Sequence, residues 1–259
     1  MAKLLVRELL RRCSSTLSDT KPQFGRHSEI DMVLAARNGV RALCKYMPHV
    51  CARTDAVKLD PGTQQRIDLV PAARVKPGDG SDARDMWCVQ LLDIPRNRGS
   101  DGVAVGRAIT LVDRQRLDTF EPDWHASTGP AVLHYAYNPQ QPRYAYVYPG
   151  VMGDVWVDMT WAVLPPTIVA GGEPGAEIYK WDGGNDADVG LDELYSDELW
   201  NYIVAYRLLS DKGQASLARA MVHAQAFTGA INTTMEQLTG QNPNLKTLPF
   251  APEVPGGAS

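Results

Sequence analysis

Apolar residues in this 259-residue chain repeat at helical spacing near both ends and at every second position between them. That double switch restricts the fold more than any short motif does. Over residues 28–47, Ile30, Val33, Leu34, Val40, Leu43, Cys44 and Met47 recur at the spacing of one helical face. Ser28 opens this stretch with a capping-box-like Ser28-x-x-Asp31, and Pro48 ends it. A shorter amphipathic helix over residues 3–12, carrying Leu4, Leu5 and Leu9, precedes it across a polar connection at 14–25. The pair predicts an N-terminal helical hairpin.

From Ala56 to about Pro166 the period becomes two. Val57-Lys58-Leu59 and Arg66-Ile67-Asp68-Leu69 predict a strand pair around the turn Pro61-Gly62-Thr63. Further strands are expected over 86–95 and 103–112, separated by the turn-rich stretch 96–102. The clearest alternation runs through 132–137, 144–148 and 155–163, with Asn138-Pro139-Gln140-Gln141-Pro142 and Pro149-Gly150 as turns. Strands joined in this way predict an antiparallel sandwich or open barrel. A Gly- and Asp-rich stretch at 170–190 reads as a mobile loop.

Beyond that loop Ser196 is placed to cap a helix whose first turn holds Asp197 and Glu198, favourable against the helix dipole. Its stripe is Leu199, Ile203, Tyr206 and Leu209, and Gly213 is its left-handed C-cap. A second helix carries Leu217, Met221, Ala224, Phe227, Ile231, Met235 and Leu238 on one face, with Gly229 a weak point of roughly 1 kcal/mol against Ala. Gly240 and Pro243 stop it. Prolines at 243, 249, 252 and 255 keep the last segment out of helix. It reads as an extended arm anchored by Leu245, Leu248 and Phe250, or as a disordered tail.

Two helices make one seam and leave apolar surface uncovered, so the two hairpins are expected to share one interior. The resulting fold is α+β: a helical bundle from residues 1–54 and 191–240, an inserted antiparallel β-sandwich or barrel domain at 55–190, and an extended C-terminal arm at 241–259.

At this length a chain buries about 75% of its unfolded surface without disulfides or metal. Cys13, Cys44, Cys51 and Cys88 form no CxxC pair and no zinc spacing; Cys44 on a helical stripe and Cys88 in an apolar strand read as buried thiols, and reduced cysteines suit assembly in a cytoplasm. No segment reaches the roughly 20 apolar residues of a membrane span, and Arg7 and Glu8 interrupt the N-terminus where a signal peptide would be apolar. The net charge of −4 argues against a general polyanion binder. The charge is uneven. Residues 1–53 hold ten Lys/Arg against four acids, whereas 177–198 hold eight acids against Lys180. Such asymmetry suits copies that meet basic face to acidic face, or two solvated surfaces.

Motifs for chemistry are sparse. Asp123 and His125 flank Trp124 and suggest general base catalysis, but residues two apart point in different directions and no nucleophile elbow accompanies them. A loop anchored by Trp124 is the competing reading. The remaining histidines form no metal-binding pair, and the acids of 182–193 lack EF-hand spacing. Tyr135, Tyr137, Tyr144, Tyr146 and Tyr148 could stack bases, yet only Arg143 accompanies them as a cation, which favours sheet packing or a protein interface. No cofactor, metal or catalytic residue is assigned. The classes left open are a structural protein, a hydrolase using Asp123 and His125, and a small nucleic-acid-binding module.

The order Leu111-Val-Asp-Arg-Gln-Arg-Leu117, Pro122-Asp-Trp-His125, His134-Tyr-Ala-Tyr-Asn-Pro139 and Tyr146-Val-Tyr-Pro149, flanked by helices at 29–46 and 199–221, resembles the head-to-tail adaptors of tailed bacteriophages, in particular the tail-tubular type of short-tailed phages. The resemblance spans roughly residues 3–240. It implies a non-enzymatic virion protein of the phage neck or tail. Such a protein forms a ring of about twelve copies, in keeping with closed cyclic symmetry. The ring sits between portal and tail nozzle and extends the channel for genomic double-stranded DNA without specific binding. Another tail-tube or neck structural protein is the alternative. Under this resemblance the arm around Leu245, Leu248 and Phe250 is expected to bind the portal. Acids Asp182, Asp186, Asp188, Asp192 and Glu193, facing the channel, would repel phosphate and let DNA slide.

Overall fold

The computed structural model describes residues 3–18, 26–81, 83–166, 168, 188–211 and 213–241. The chain divides into two compact units, one of Met1–Met47 with Pro166–Ser259 and one of Pro48–Pro165. Among the described residues the fold is α+β, with five α-helices and several sheets.

In the first unit strand β1 (Lys3–Leu5) leads directly into helix α1 (Val6–Thr16), and helix α2 spans Glu29–Tyr46. The Ser28 side chain caps α2 by accepting the Asp31 N–H at 3.2 Å, the bond its sequence position predicts. After strand β13 (Asp188–Asp192) come helices α4 (Ser196–Leu209) and α5 (Gln214–Gln241). Helix α4 is the hub, and α1, α2 and α5 each pack on it. The main contacts of α1 and α2 are therefore with α4 rather than with each other, which replaces the expected hairpin seam. Trp200 of α4 donates to Thr16 of α1 at 3.3 Å and stacks edge-on against His223 of α5. Arg207 of α4 reaches Asp31 in the first turn of α2 at 3.4 Å.

Several local readings are corrected here. Residues 3–5 are a strand rather than helix, paired antiparallel with β13 through Lys3↔Asp192 and Leu5↔Asp188. Consequently Asp188–Asp192 is a strand too, not the end of a mobile loop. Ser196 is the first residue of α4 rather than its cap; Tyr195 holds the cap position without a side-chain bond, and Asp192 caps the preceding 3-10 turn by accepting the Leu194 N–H at 3.0 Å. The expected stripes hold in part: α2 buries Val33, Val40, Leu43 and Cys44, with Met47 buried just after it, and α4 buries Leu199 and Ile203. Helix α2 buries Met32, Ala35 and Ala36 while Ile30 and Leu34 are exposed, and α4 buries Val204, Ala205 and Leu208 while Tyr206 and Leu209 are exposed.

The second unit is a nearly closed, barrel-like arrangement of two sheets around one core. Its strands are β2 (Ala52–Lys58), β3 (Gly62–Arg66), β4 (Leu69–Val70), β5 (Val75–Lys76), β6 (Met86–Arg98), β7 (Val105–Ala108), β8 (Thr110–Leu111), β9 (Thr128–Gly129), β10 (His134–Tyr137), β11 (Tyr144–Val151) and β12 (Trp156–Val163). One sheet has the order β3-β11-β10-β8, with β9 on β11. The other has β4-β6-β12-β2-β5, with β7 on β6. Val57, Leu91, Ile94, Val132, Val147, Val157, Met159 and Trp161 fill the space between them.

The hairpin expected around Pro61-Gly62-Thr63 does not form, because β2 pairs with β12 and β5 while β3 pairs with β11 in the other sheet. Likewise β11 continues through Pro149-Gly150 instead of turning there. Most ladders are antiparallel, but β8–β10 and β9–β11 are parallel. A parallel pair requires a crossover of a dozen or more residues. Between β8 and β10 that crossover is the 112–133 segment, which contains helix α3 (Arg114–Phe120) and the Pro122-Asp-Trp-His125 tetrapeptide.

Candidate assembly surfaces

The crossover is built from its own caps and one buried ring. Asp113 caps α3 by accepting the Gln115 N–H at 2.9 Å. Helix α3 ends at Phe120, and the turn after it carries Trp124, whose side chain is fully buried. The Trp124 indole N–H donates to Asp118 Oδ1 at 2.8 Å, so the one polar atom of a buried ring is satisfied from within α3. His125 stacks on Trp124 with ring centroids 3.7 Å apart, and its Nδ1 lies 3.1 Å from Thr63 Oγ1. Tyr146 meets both rings edge-on, and Arg114 covers its outer face at 4.7 Å. His125 is thus held by Thr63 and Trp124, not by Asp123, and the two form no acid–base pair. The tetrapeptide is a clasp between the crossover and the β3–β11 edge.

The tyrosines divide by strand register. Tyr135 enters the core and donates to Asp93 at 2.8 Å; burial and that carboxylate push its phenol well above the usual range. Burial also pushes Tyr137 up to about 12, where its hydroxyl accepts the Leu91 N–H. Tyr148 stacks parallel to His134 across the β10–β11 ladder. Sheet packing accounts for this set.

Helix α5 presents an apolar surface in the first unit. Between residues 214 and 241 the charged side chains are Arg219 and Glu236 alone. Its inner face meets α4 through Ala220, Phe227 and Ile231, with Phe227 edge-on to Tyr202 at 5.2 Å. Leu217, Met221 and Val222 remain 50%, 51% and 64% exposed. A solvent-facing surface helix ordinarily carries its charges on that side, and here Leu217, Met221 and Val222 share it with uncharged polar residues and with Arg219 and Glu236. The exposed face of α2 is mixed, with Ile30 and Leu34 followed on the same stripe by Arg41 and Lys45.

The residues singled out from the sequence are placed as follows. Asp188 and Asp192 lie on β13, half-buried, each accepting a backbone N–H two residues on, from Gly190 and Leu194. Glu193 is exposed in the 3-10 turn Glu193–Tyr195. Asp182, Asp186, Leu245, Leu248 and Phe250 lie outside the described residues. Among the described residues no three His, Cys, Asp or Glu side chains gather as a metal site, and no helix is long and apolar enough to cross a membrane. Sequence reasoning missed two buried carboxylates, Asp55 and Asp158. Asp55 accepts from Arg53 and Gly78 and, at 2.8 Å, from the Trp161 indole N–H. Asp158 is clamped between Arg96 and Arg98. The i, i+2 spacing of Arg53-Asp55 and of Arg96-Arg98 was the available signal, since it puts each pair on one face of a strand.

The clasp and the two buried carboxylates thus spend their polar groups on internal ties, and α5 leaves a sparsely charged face exposed. The chain belongs to the SU10 adaptor protein family, whose model matches residues 5–247, and is therefore a phage head-to-tail adaptor. A search of curated proteins finds no match.

Proposed function

We propose that copies of this chain close into a ring between the portal and the tail of a phage particle, extending the channel through which the genome leaves. The family match over residues 5–247 is the observation that carries this reading. Helices α1, α2, α4 and α5 act as the bundle at the ring's core, and the exposed α5 face supplies the apolar surface that neighbouring copies cover. A head-to-tail contact repeated by rotation closes a ring, with about twelve copies expected from the resemblance to short-tailed phage adaptors. The barrel-like unit is the platform for the tail nozzle. The arm carrying Leu245, Leu248 and Phe250 docks on the portal, where a proline-stiffened segment loses less entropy than a flexible one. Acids Asp182, Asp186, Asp188, Asp192 and Glu193 line the channel and repel the DNA backbone. The protein has no catalytic part in this role.

The test is reconstitution. Purified chain mixed with the phage's own portal ring, followed by mass photometry, should give a discrete complex with a fixed number of adaptor copies. A chain that stays separate from portals at micromolar concentration would contradict the proposal.

A further inference from the structure

The second unit holds a hollow with more cationic donors than its contacts within the chain use. It has a volume of about 450 Å³ and opens on the face of the β4-β6-β12-β2-β5 sheet opposite the core. Strand register dictates its contents. One row across four neighbouring strands reads Arg96, Asp158, Ala56 and Lys76. These side chains share a face, and adjacent strands stand roughly 4.8 Å apart, so Lys76 sits about 10 Å from Asp158 across the small Ala56. Arg98, two residues on from Arg96, joins the same face. Gly78 and Gly102 form part of the wall, and a Cβ at either would collide, at 2.1 Å with the Thr54 carbonyl oxygen and at 2.9 Å with the Trp156 ring.

The charges in this hollow do not balance. Lys76, Arg96 and Arg98 line it with one carboxylate, Asp158, and Asp101 stands beside Lys76, which leaves a surplus of about one positive charge. The donors are not exhausted either. Arg96 commits only Nε, to Asp158 Oδ2, so both its Nη groups are unengaged. Arg98 commits Nε to Asp158 Oδ1 and Nη1 to the Val103 carbonyl, leaving Nη2. Lys76 Nζ donates to the Asp101 carbonyl and lies 4.7 Å from the Trp156 ring centre, which fixes its head at the rim. Asp158, 2% exposed, holds both guanidiniums in place and is itself satisfied by them.

We infer that this hollow is a binding site for a phosphate oxyanion, with Arg96 and Arg98 as the guanidinium fork and Lys76 as the opposing ammonium. A phosphate is anionic near neutral pH and presents oxygens in several directions, matching both the sign of the surplus and the spread of the donors. A lone carboxylate, with two oxygens, would reach fewer of these donors. The same oxygens are offered by free phosphate and, with one charge per phosphodiester, by a DNA backbone. The inference does not depend on ring formation.

Inorganic phosphate titrated into the full-length chain, followed by NMR of the arginine Nε–Hε signals, is expected to shift Arg96 and Arg98 saturably. Lys76→Ala and Arg96→Gln should each weaken phosphate binding roughly tenfold, the scale of one charge-assisted contact. Arg116→Gln, an exposed change on α3, should leave binding unaltered. A parallel titration with a short random-sequence duplex separates the two sources. Shifts of the same signals that fade with added salt assign the site to backbone phosphate, and silence with DNA assigns it to the free anion. Absence of a saturable shift in the unaltered chain overturns the inference, and so does binding that survives both Lys76→Ala and Arg96→Gln.

Discussion

A Cβ placed on Gly39 would lie 2.5 Å from Leu199 Cδ1, so α2 and α4 approach each other more closely at this point than any side chain on α2 would allow. Tyr202 crowds the same spot at 3.0 Å. Glycine inside a helix costs about 1 kcal/mol against alanine, and here close packing offsets that cost.

Two glycine substitutions therefore move stability in opposite directions. Gly39→Ala gains about 1 kcal/mol of propensity but loses about 1–3 to overpacking, for a net loss. Gly229→Ala, on α5 with nothing within 4 Å of the added Cβ, should gain about 0.5–1 kcal/mol. Urea titration of the two variants reads both signs. A stabilised Gly39→Ala protein would mean that α2 and α4 are further apart than described.

Asp118 is the acceptor for the Trp124 indole N–H. Asp118→Ala leaves that buried donor unsatisfied and should cost about 1–3 kcal/mol. Trp124→Ala empties a fully buried site and should cost about 3–5 kcal/mol. His125→Ala removes an outer stacking partner and should cost less than either. If His125→Ala proves the most damaging of the three by thermal denaturation, the tetrapeptide is not the packing clasp described.

These sites also show where the sequence was readable. Ser28, Pro48 and the alternation over 155–163 are local signals, and the elements they mark stand where expected. The width of the helix stripes was only partly readable, because α2 carries apolar side chains at Ile30 and Leu34 beyond the face its own chain covers. Ile30 and Leu34 count as apolar as Met32 does, yet they are exposed. Strand partners were hidden for a different reason. Pro61-Gly62 is a sound turn, but β12 inserts beside β2, and that pairing spans about a hundred residues of sequence. Residues 3–5 looked helical because Leu9 continues their pattern, whereas their partner β13 is at the far end of the chain. The surplus charge at Lys76, Arg96 and Arg98 appears only when four strands are set side by side.

Burial pushes the Cys88 thiol from an ordinary 9.0 up to about 12. The folded chain keeps this proton where the unfolded chain releases it. The stability tied to Cys88 is thus complete below about pH 9 and declines as pH rises from there towards 12. Alkylation of the native protein by iodoacetamide at pH 8 should be slow at Cys88, and in urea it should be fast, as mass spectrometry of the peptides would show. Rapid native labelling at Cys88 would contradict its protonated state.

Removal of the chain after Gly240 tests the proposed arm. The truncated protein should match the full chain in circular dichroism and lose at least tenfold in portal affinity, the scale of one well-buried apolar anchor. Unchanged portal binding would place the docking surface on the helices or the barrel-like unit instead.

The central claim is positional, and cryo-electron microscopy of the phage neck tests it most directly. Density for this chain is expected as a closed ring directly below the portal, with α5 of each copy packed against its neighbour and the barrel-like unit turned towards the tail. A map in which the chain is missing from that layer, or is present there with α5 facing open solvent, would contradict the account.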